Sequence, residues 1–348
     1  MTDLILSPAA CQARAIERCF IAGGGDDRVR FGEVSAQGLF ERAACGVALV
    51  RCVEPYSKFD SVIPTVALDT AFMLRRFGAV RLGQITMEPS SLRWFDKPWS
   101  LAFADSVGVA IPRTWGNAVE IPPNVGRIFF KPGLEGVVGA RTWVETPADL
   151  PEEVRHPGSG FIFQEKIEGQ AVYSFGFLAD RGRIVAGAGL AERVSYPPDG
   201  GEAVVMELFD DPQLTAAAGR LIRASDYSGW GLVEFKHCLR RDTYVLMEIN
   251  PKFWSSIELV LRTQPVFAKL LFGLSVPAER MTKLWWPGRL AKLGIDHWPK
   301  HLAAIRGARM AEERISRASV ARALLPYGLQ TWLGLVIRKK KRSKEATL

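Results

Sequence analysis

The run "YVLMEINPKFWSS", Tyr244–Ser256, ends an apolar stretch with Glu248 and Asn250 two residues apart. Residues at that spacing in a strand share a face. Glu248 and Asn250 would therefore project together, with Met247 and Ile249 turned the other way into a core. Upstream, "GLVEFKHC" puts Glu234 on the polar face and Val233 and Phe235 on the core face. If "RRD" is a three-residue hairpin loop, Leu239 pairs with Thr243 and Glu234 falls opposite Glu248. Two carboxylates facing each other across a strand pair repel. A hard divalent cation, Mg²⁺ or Mn²⁺, relieves that repulsion with oxygen ligands, and Asn250 offers a third, neutral oxygen. The same residues also allow a solvated hairpin face whose acids pair with Lys236 and Lys252. A one-residue slip would remove the facing pair.

Lys131 is a second candidate. It follows the apolar run "RIFF" and precedes "PGLEGVVGA", in which Gly133, Gly136 and Gly139 permit close backbone approach to an anion. Lys131 would add a point charge for phosphate. The plainer reading is a hairpin loop. Lys97, in "WFDKPWS", fits a solvated lysine at a helix start equally well. The chain has no GxxxxGK[ST]. "GAGLAE" at 187–192 lacks the third glycine of a dinucleotide fingerprint, and "AGGGDD" follows a helix rather than a strand. The four histidines show no ligand or triad spacing.

The elements that must position these residues read as α/β. "LIL", "VALVRC" and "FDSVIPTV" are short strand-like runs, and "PAACQARAIERCF", "VSAQGLFERAA" and "ALDTAFMLRRFG" have helical spacing. Such alternation predicts a small, mostly parallel layer over 1–90. Residues 91–165 alternate helix, strand, glycine loop and strand. From 166 to 275 the signal is mainly strands, with a helix in "DPQLTAAAGRLIRAS" capped by Asp210 or Asp211. Residues 276–348 read as a basic helical extension.

The 348 residues are 48% hydrophobic and 24% charged, which suits a chain able to bury a large core. The net charge is +8, of which the last eleven residues, "RKKKRSKEATL", carry +5. A basic tail on a nearly neutral body argues against a nucleic-acid-binding surface. Five cysteines without CxxC spacing argue against a disulfide framework or a zinc site and for a reducing compartment. No basic stretch followed by a long apolar core opens the chain, so a cytoplasmic location is expected. The stretch 324–344 joins a short apolar run to a basic cluster. It reads either as a helix on an anionic surface, peripheral at the inner membrane, or as a packed helix with a solvated tail.

The order of these pieces, from Phe59 to Gly273, resembles the ATP-grasp superfamily, most closely its carboxylate–amine ligase branch. The resemblance rests on "DSVIPTVALDT", "FDKPWSLAFADSVGVAIPRTW", "IFFKPGLEGVVGA", "FIFQEKIEG" and "VEF" followed by "LMEINPKFWSS". It implies an α/β (α+β) ATP-grasp fold with an N-terminal Rossmann-like domain and a helical C-terminal extension. It also implies ATP and Mg²⁺ (or Mn²⁺) as cofactors. Lys97 and Lys131 would hold phosphates, helped by Gly133, Gly136 and Gly139 in a loop that acts as a lid. Gln164, Glu165, Lys166 and Ile167 would form the adenine hinge. Glu234, Glu248 and Asn250 would ligate magnesium, and Lys252 would face the transferred phosphate or the carboxylate.

The chain departs from the family pattern in three places. Gln170 and Ala171 follow the hinge where relatives carry a ribose-binding acid. Lys252 and Ser255 replace the arginine and glycine of "NPRFWGS". Glu192 and Arg193 stand where relatives carry more arginine, which leaves Arg193 as the catalytic candidate there. The implied activity is ligation: a carboxylate is activated as an acyl phosphate and attacked by an amine, both small molecules. The departures leave open a nucleotide-binding or scaffold protein without catalysis, and a thiol-using or phosphoryl-transfer enzyme of the same fold.

Overall fold

The computed structural model describes residues 3–6, 11–24, 29–35, 38–42, 49–52, 61–135, 137, 139–168, 171–197, 201–293 and 298–311. Two compact units are present. The first comprises Met1–Ala191 and Phe209–Ala278, the second Glu192–Leu208 and Glu279–Leu348.

The first unit opens with a mixed five-stranded sheet. Asp3–Leu6 runs parallel to Val29–Ser35 on one side and to Ser61–Ile63 on the other. Helix Cys11–Ala22 links the first parallel pair, and Gly24 past its end takes φ +73°, a left-handed conformation that suits glycine. Gly38–Arg42 and Leu49–Cys52 extend the sheet antiparallel. The expected helix in "VSAQGLFERAA" is therefore replaced by strand residues, with Ser35 paired to Gly38 and Val34 to Leu39. Short apolar runs do not separate the two periods, and the sheet edge decided. Among the described residues parallel pairing in this sheet is confined to three strands, so the layer described is mixed rather than the mostly parallel, Rossmann-like one expected.

Two further sheets of this unit carry the candidate site. A four-stranded antiparallel sheet has the order Thr142–Val144, Ile128–Pro132, Phe161–Glu165, Thr114–Trp115. Its inner face buries Ile128, Phe130 and Phe163 with Leu150 and Val154. The alternation of strands turns Lys131 and Gln164 to the opposite face. In the larger sheet, Thr243–Asn250 pairs with Gly229–Cys238, which pairs with Val172–Asp180, and that strand pairs with Arg183–Tyr196. Helix Pro212–Ala224 covers this sheet with Leu214, Ala218, Leu221 and Ile222 against Phe175, Phe177, Val233 and Phe235. Asp211 is its cap, accepting from the N–H groups of Gln213 and Leu214.

In the second unit, Lys283–Trp285 pairs antiparallel with Glu202–Leu208 and parallel with Arg309–Met310. Two short helices, Pro287–Lys292 and Trp298–Ile305, accompany these strands. The purely helical extension expected over 276–348 is thus corrected for its described part. "KLW" joins the sheet between "VVMEL" and Arg309–Met310. The stretch 324–344 lies outside the described residues. Among those described, no helix is long and apolar enough to cross a membrane.

The loop after Asn250 is fixed by two buried rings. Phe253 stacks on Trp230, with centroids 5.2 Å apart and planes 11° from parallel. Trp254 lies over Gly176 in Val172–Asp180, two strands across the same sheet, where an added Cβ would stand 2.4 Å from the indole. Only glycine admits that contact. Gly176→Ala is expected to destabilise the chain by about 1–3 kcal/mol through overpacking, read as a lower urea midpoint. An unchanged midpoint would show that the indole can shift freely.

Candidate active site

Lys97 begins helix Lys97–Ser106, whose cap Asp96 accepts from the N–H of Trp99 at 3.0 Å. A cation at a helix N-terminus opposes the helix dipole, and this one is only 3% exposed. Its compensation comes from carboxylates. Lys97 Nζ donates to Glu135 Oε2 at 2.8 Å and stands 3.7 Å from Glu248 Oε2. Lys131, equally buried, donates to the carbonyl of Met247 at 2.9 Å and lies 3.8 Å from Glu248 Oε2. Burial draws Lys131 below its ordinary pKa, against the pull of Glu248.

The hairpin that carries the acids has a register the sequence reading only half anticipated. Glu234 does pair with Glu248 and Val233 with Ile249. Nearer the turn, Cys238 pairs with Thr243 and Phe235 with Leu246, so the loop is Leu239–Asp242 rather than three residues. A β-bulge between Phe235 and Glu234 absorbs the difference, with Met247 as the extra residue. Tyr244, Leu246 and Ile249 therefore all reach the core, spaced two and then three apart. Met247 does not point with Ile249, as expected, but packs against the cluster of Ile167, Cys238 and Val245. Without the bulge, strict alternation would put Glu248 on the core face with Tyr244 and Leu246.

Asn250 holds the two acids together. Its Nδ2 donates to Glu234 Oε2 at 2.9 Å and to Glu248 Oε1 at 3.0 Å. Its Oδ1 is buried with no partner. Burial works to raise the Glu248 pKa, but Lys131 and Lys97 outweigh it and hold the carboxyl well below the usual range. Two carboxyl groups beside an orphaned amide oxygen match the all-oxygen set of a hard divalent cation. Turning the amide about its terminal torsion exchanges Nδ2 for Oδ1 between the acids. Among the described residues no group of three or more His, Cys, Asp or Glu could hold a metal; here the third donor is an amide. Lys236 and Lys252 were the alternative partners of these acids, but Lys252 bonds to Glu135 instead.

The hinge segment is tied down by its side chains. Glu165 accepts from the Arg113 N–H at 3.0 Å, from Arg113 Nε at 3.2 Å and from Arg241. The N–H groups of Glu165 and Lys166 donate to the carbonyls of Arg113 and Arg127. Lys166 Nζ lies 3.9 Å from the centre of the Trp143 ring. Ile167 packs with Val245 and Cys238 in a buried apolar cluster, with Ala110 and Met247 against it. Gln164 Nε2 donates to Thr114 at 3.1 Å, and its Oε1 is a buried acceptor without a partner.

Lys97, Lys131, Glu234, Glu248, Asn250 and Lys252 are thus brought together. Gly133 is pinned by its N–H to the Gly160 carbonyl and by its own carbonyl to the Lys97 N–H. At Gly139 an added Cβ would stand 2.8 Å from Pro132. Gly136 and Gln170 lie outside the described residues. Arg193 belongs to the second unit, where its Nε donates to Glu207 at 2.6 Å. Sequence reasoning missed Glu135 and Arg141. The available signal was an acid inside a loop otherwise suited to binding anions.

No family model matches this chain, and no curated protein matches it. Solved structures do. L-amino acid ligase from Bacillus licheniformis is 15% identical with a TM-score of 0.55, over 78% of this chain and 74% of that one. An ATP-grasp superfamily protein from Archaeoglobus fulgidus is 14% identical with a TM-score of 0.54, over 81% and 91%. Pyruvate carboxylase from Rhizobium etli is 15% identical with a TM-score of 0.54; the match covers 78% of this chain and 28% of that one. At these identities the likeness establishes the fold, which is the ATP-grasp fold.

The hinge makes a direct test possible. Burial works to raise the Glu165 pKa, but the Arg113 N–H and the Arg241 and Arg113 guanidinium groups outweigh it and lower it. A carboxylate so depressed stabilises the fold fully above its unfolded value, about 4.3. That contribution fades as pH falls below it. Glu165→Gln is expected to cost about 1–3 kcal/mol at neutral pH, with the gap from wild type closing below about pH 4.3. A gap that stays constant down to pH 3.5 in thermal melts would exclude the charge pairing as its cause.

Proposed function

We propose that this ATP-grasp chain is an ATP- and Mg²⁺-dependent ligase. It activates a small-molecule carboxylate as an acyl phosphate, which an amine attacks to form an amide. The observation that carries the reading is the convergence of two buried lysines on a paired Glu–Glu–Asn face within this fold. The presence of an L-amino acid ligase among similar structures supports it.

Each residue then has a task. Lys97 and Lys131 neutralise the charge of the polyphosphate. Glu234, Glu248 and Asn250 would hold Mg²⁺, which when bound supplies charge neutralisation and orients phosphate oxygens. Ile167 and Gln164 would line the adenine, with the unpartnered Gln164 Oε1 as an acceptor for its exocyclic amine. Lys252 would face the transferred phosphoryl group or the acceptor carboxylate. Carboxylate oxygen is a poor leaving group until phosphorylated; attack by the amine on the acyl carbon then expels inorganic phosphate and gives the amide. The protein mainly positions groups and balances charge. Catalytic participation of Arg193, and contact of 324–344 with an anionic membrane, remain parts of the proposal that rest on sequence.

The expected result is ADP release that requires Mg²⁺, an acid and an amine together, with Glu248→Gln lowering it about a hundredfold or more. ADP release with neither acid nor amine would point to phosphoryl transfer or simple hydrolysis. Nucleotide binding without turnover over a broad substrate panel would favour the non-catalytic reading.

A further inference from the structure

Glu135 is the one acid in the glycine loop "KPGLEGVVGA". Its carboxylate is only 9% exposed and sits among three cations. Lys97 Nζ donates to Oε2 at 2.8 Å, Lys252 Nζ donates to Oε1, and Arg141 lies 3.7 Å from Oε2. The main chain holds it there. Glu135 N–H donates to the Phe95 carbonyl at 2.8 Å, Lys97 N–H donates to the Gly133 carbonyl at 2.8 Å, and Leu134 bridges to Asp96.

This placement is hard to explain as a stabilising ion pair alone. Lys97 already has a second carboxylate, Glu248, within 4 Å, and Lys252 lies one residue past the proline that follows Asn250. These are the cations that the ligase reading assigns to the polyphosphate and the transferred group. Even with Glu248 and Glu234 counted beside Glu135, three acids face the four cations Lys97, Lys131, Lys252 and Arg141, so the cluster stays positive and a polyanion with more oxygens would satisfy it better. The carboxylate has the same charge sign and acceptor chemistry as a phosphate oxygen, and both cannot hold the same N–H donors.

We propose that Glu135 is an internal competitor for the phosphate cradle. Polyphosphate enters by taking Lys97 and Lys252 from the Glu135 carboxylate, so Glu135 determines how tightly the site holds its anion. The inference rests on the proposed ligase reading for the identity of the nucleotide, but not for the exchange itself. The fraction of molecules with the lysines released scales the apparent affinity directly. Removing the competing charge should therefore tighten binding.

The test uses the full chain and two probes, inorganic tripolyphosphate and ATP, titrated calorimetrically with and without Mg²⁺. Glu135→Gln and Glu135→Ala are compared with wild type, with circular dichroism to confirm folding; either folded variant suffices, because both remove the charge. The expected result is tripolyphosphate binding tighter by about tenfold or more in the variants. Binding that is unchanged or weaker overturns the inference and leaves Glu135 as a structural ion pair. Loss of binding only in the presence of Mg²⁺ also overturns it, and would make Glu135 a metal ligand instead. The ATP probe judges the nucleotide reading separately. Variants that tighten on tripolyphosphate while no form binds ATP would retain the competitor and sink the nucleotide assignment. Wild-type binding of ATP with no gain in the variants would do the reverse.

Discussion

Lys97 and Lys131 are both more than nine-tenths buried, and an ammonium taken out of water costs several kcal/mol unless a partner is held against it. The partners here come from distant parts of the chain. Glu248 and the Met247 carbonyl stand on the larger sheet, Lys131 on the four-stranded sheet, and Lys97 at a helix start that precedes both in sequence. Neither sheet could carry its charged residues alone. The two Glu residues that face each other across the hairpin would repel without the Asn250 amide and the two lysines. The lysines in turn would be uncompensated without the acids. Charge balance therefore couples the register of one sheet to the position of the other.

That coupling depends on local backbone detail. The bulge at Met247 lets one strand send Tyr244, Leu246 and Ile249 into the core and still present Glu248 and Asn250 on the opposite face. Lys131 donates to the carbonyl of the bulge residue, Met247. Phe253 and Trp254 then lock the segment that follows, Trp254 by lying on Gly176, two strands across the same sheet. Lys252 is carried between the strand end and these rings, so its backbone is fixed on both sides. Such a site is held by rigid elements rather than by a free loop, which is what positioning chemistry requires.

Glu135 belongs to the same electrostatic set but reverses its sense. It brings negative charge into the cluster that would otherwise attract anions. Burial works to raise its pKa, yet Lys252 and Lys97 outweigh that and hold it below the usual carboxylate range. It is ionised under ordinary conditions, and the pocket therefore contains its own counter-anion.

Much of the site was legible in the residue types. Glu248 and Asn250 at strand spacing, Glu234 upstream, and a lysine at the end of an apolar strand are local patterns, and local patterns follow from the fixed geometry of one strand. They gave the Glu–Glu pairing and the faces of Val233 and Phe235. The same reasoning misread "VSAQGLFERAA" as helix and 276–311 as purely helical, because short apolar runs take their period from the sheet they join. The hairpin register was right at the acids and wrong at the turn. The apolar spacing of Tyr244, Leu246 and Ile249 held the clue, but a bulge shows itself only when both partner strands are in place. What the sequence by itself determined was the set of chemical groups and the strand faces that carry them. Which lysine meets which carboxylate, and that Glu135 lies among Lys97, Lys252 and Arg141, was decided by tertiary structure alone. Those contacts join residues more than thirty-five positions apart for Lys97 and more than a hundred apart for Lys252, and no local period reaches across such separations.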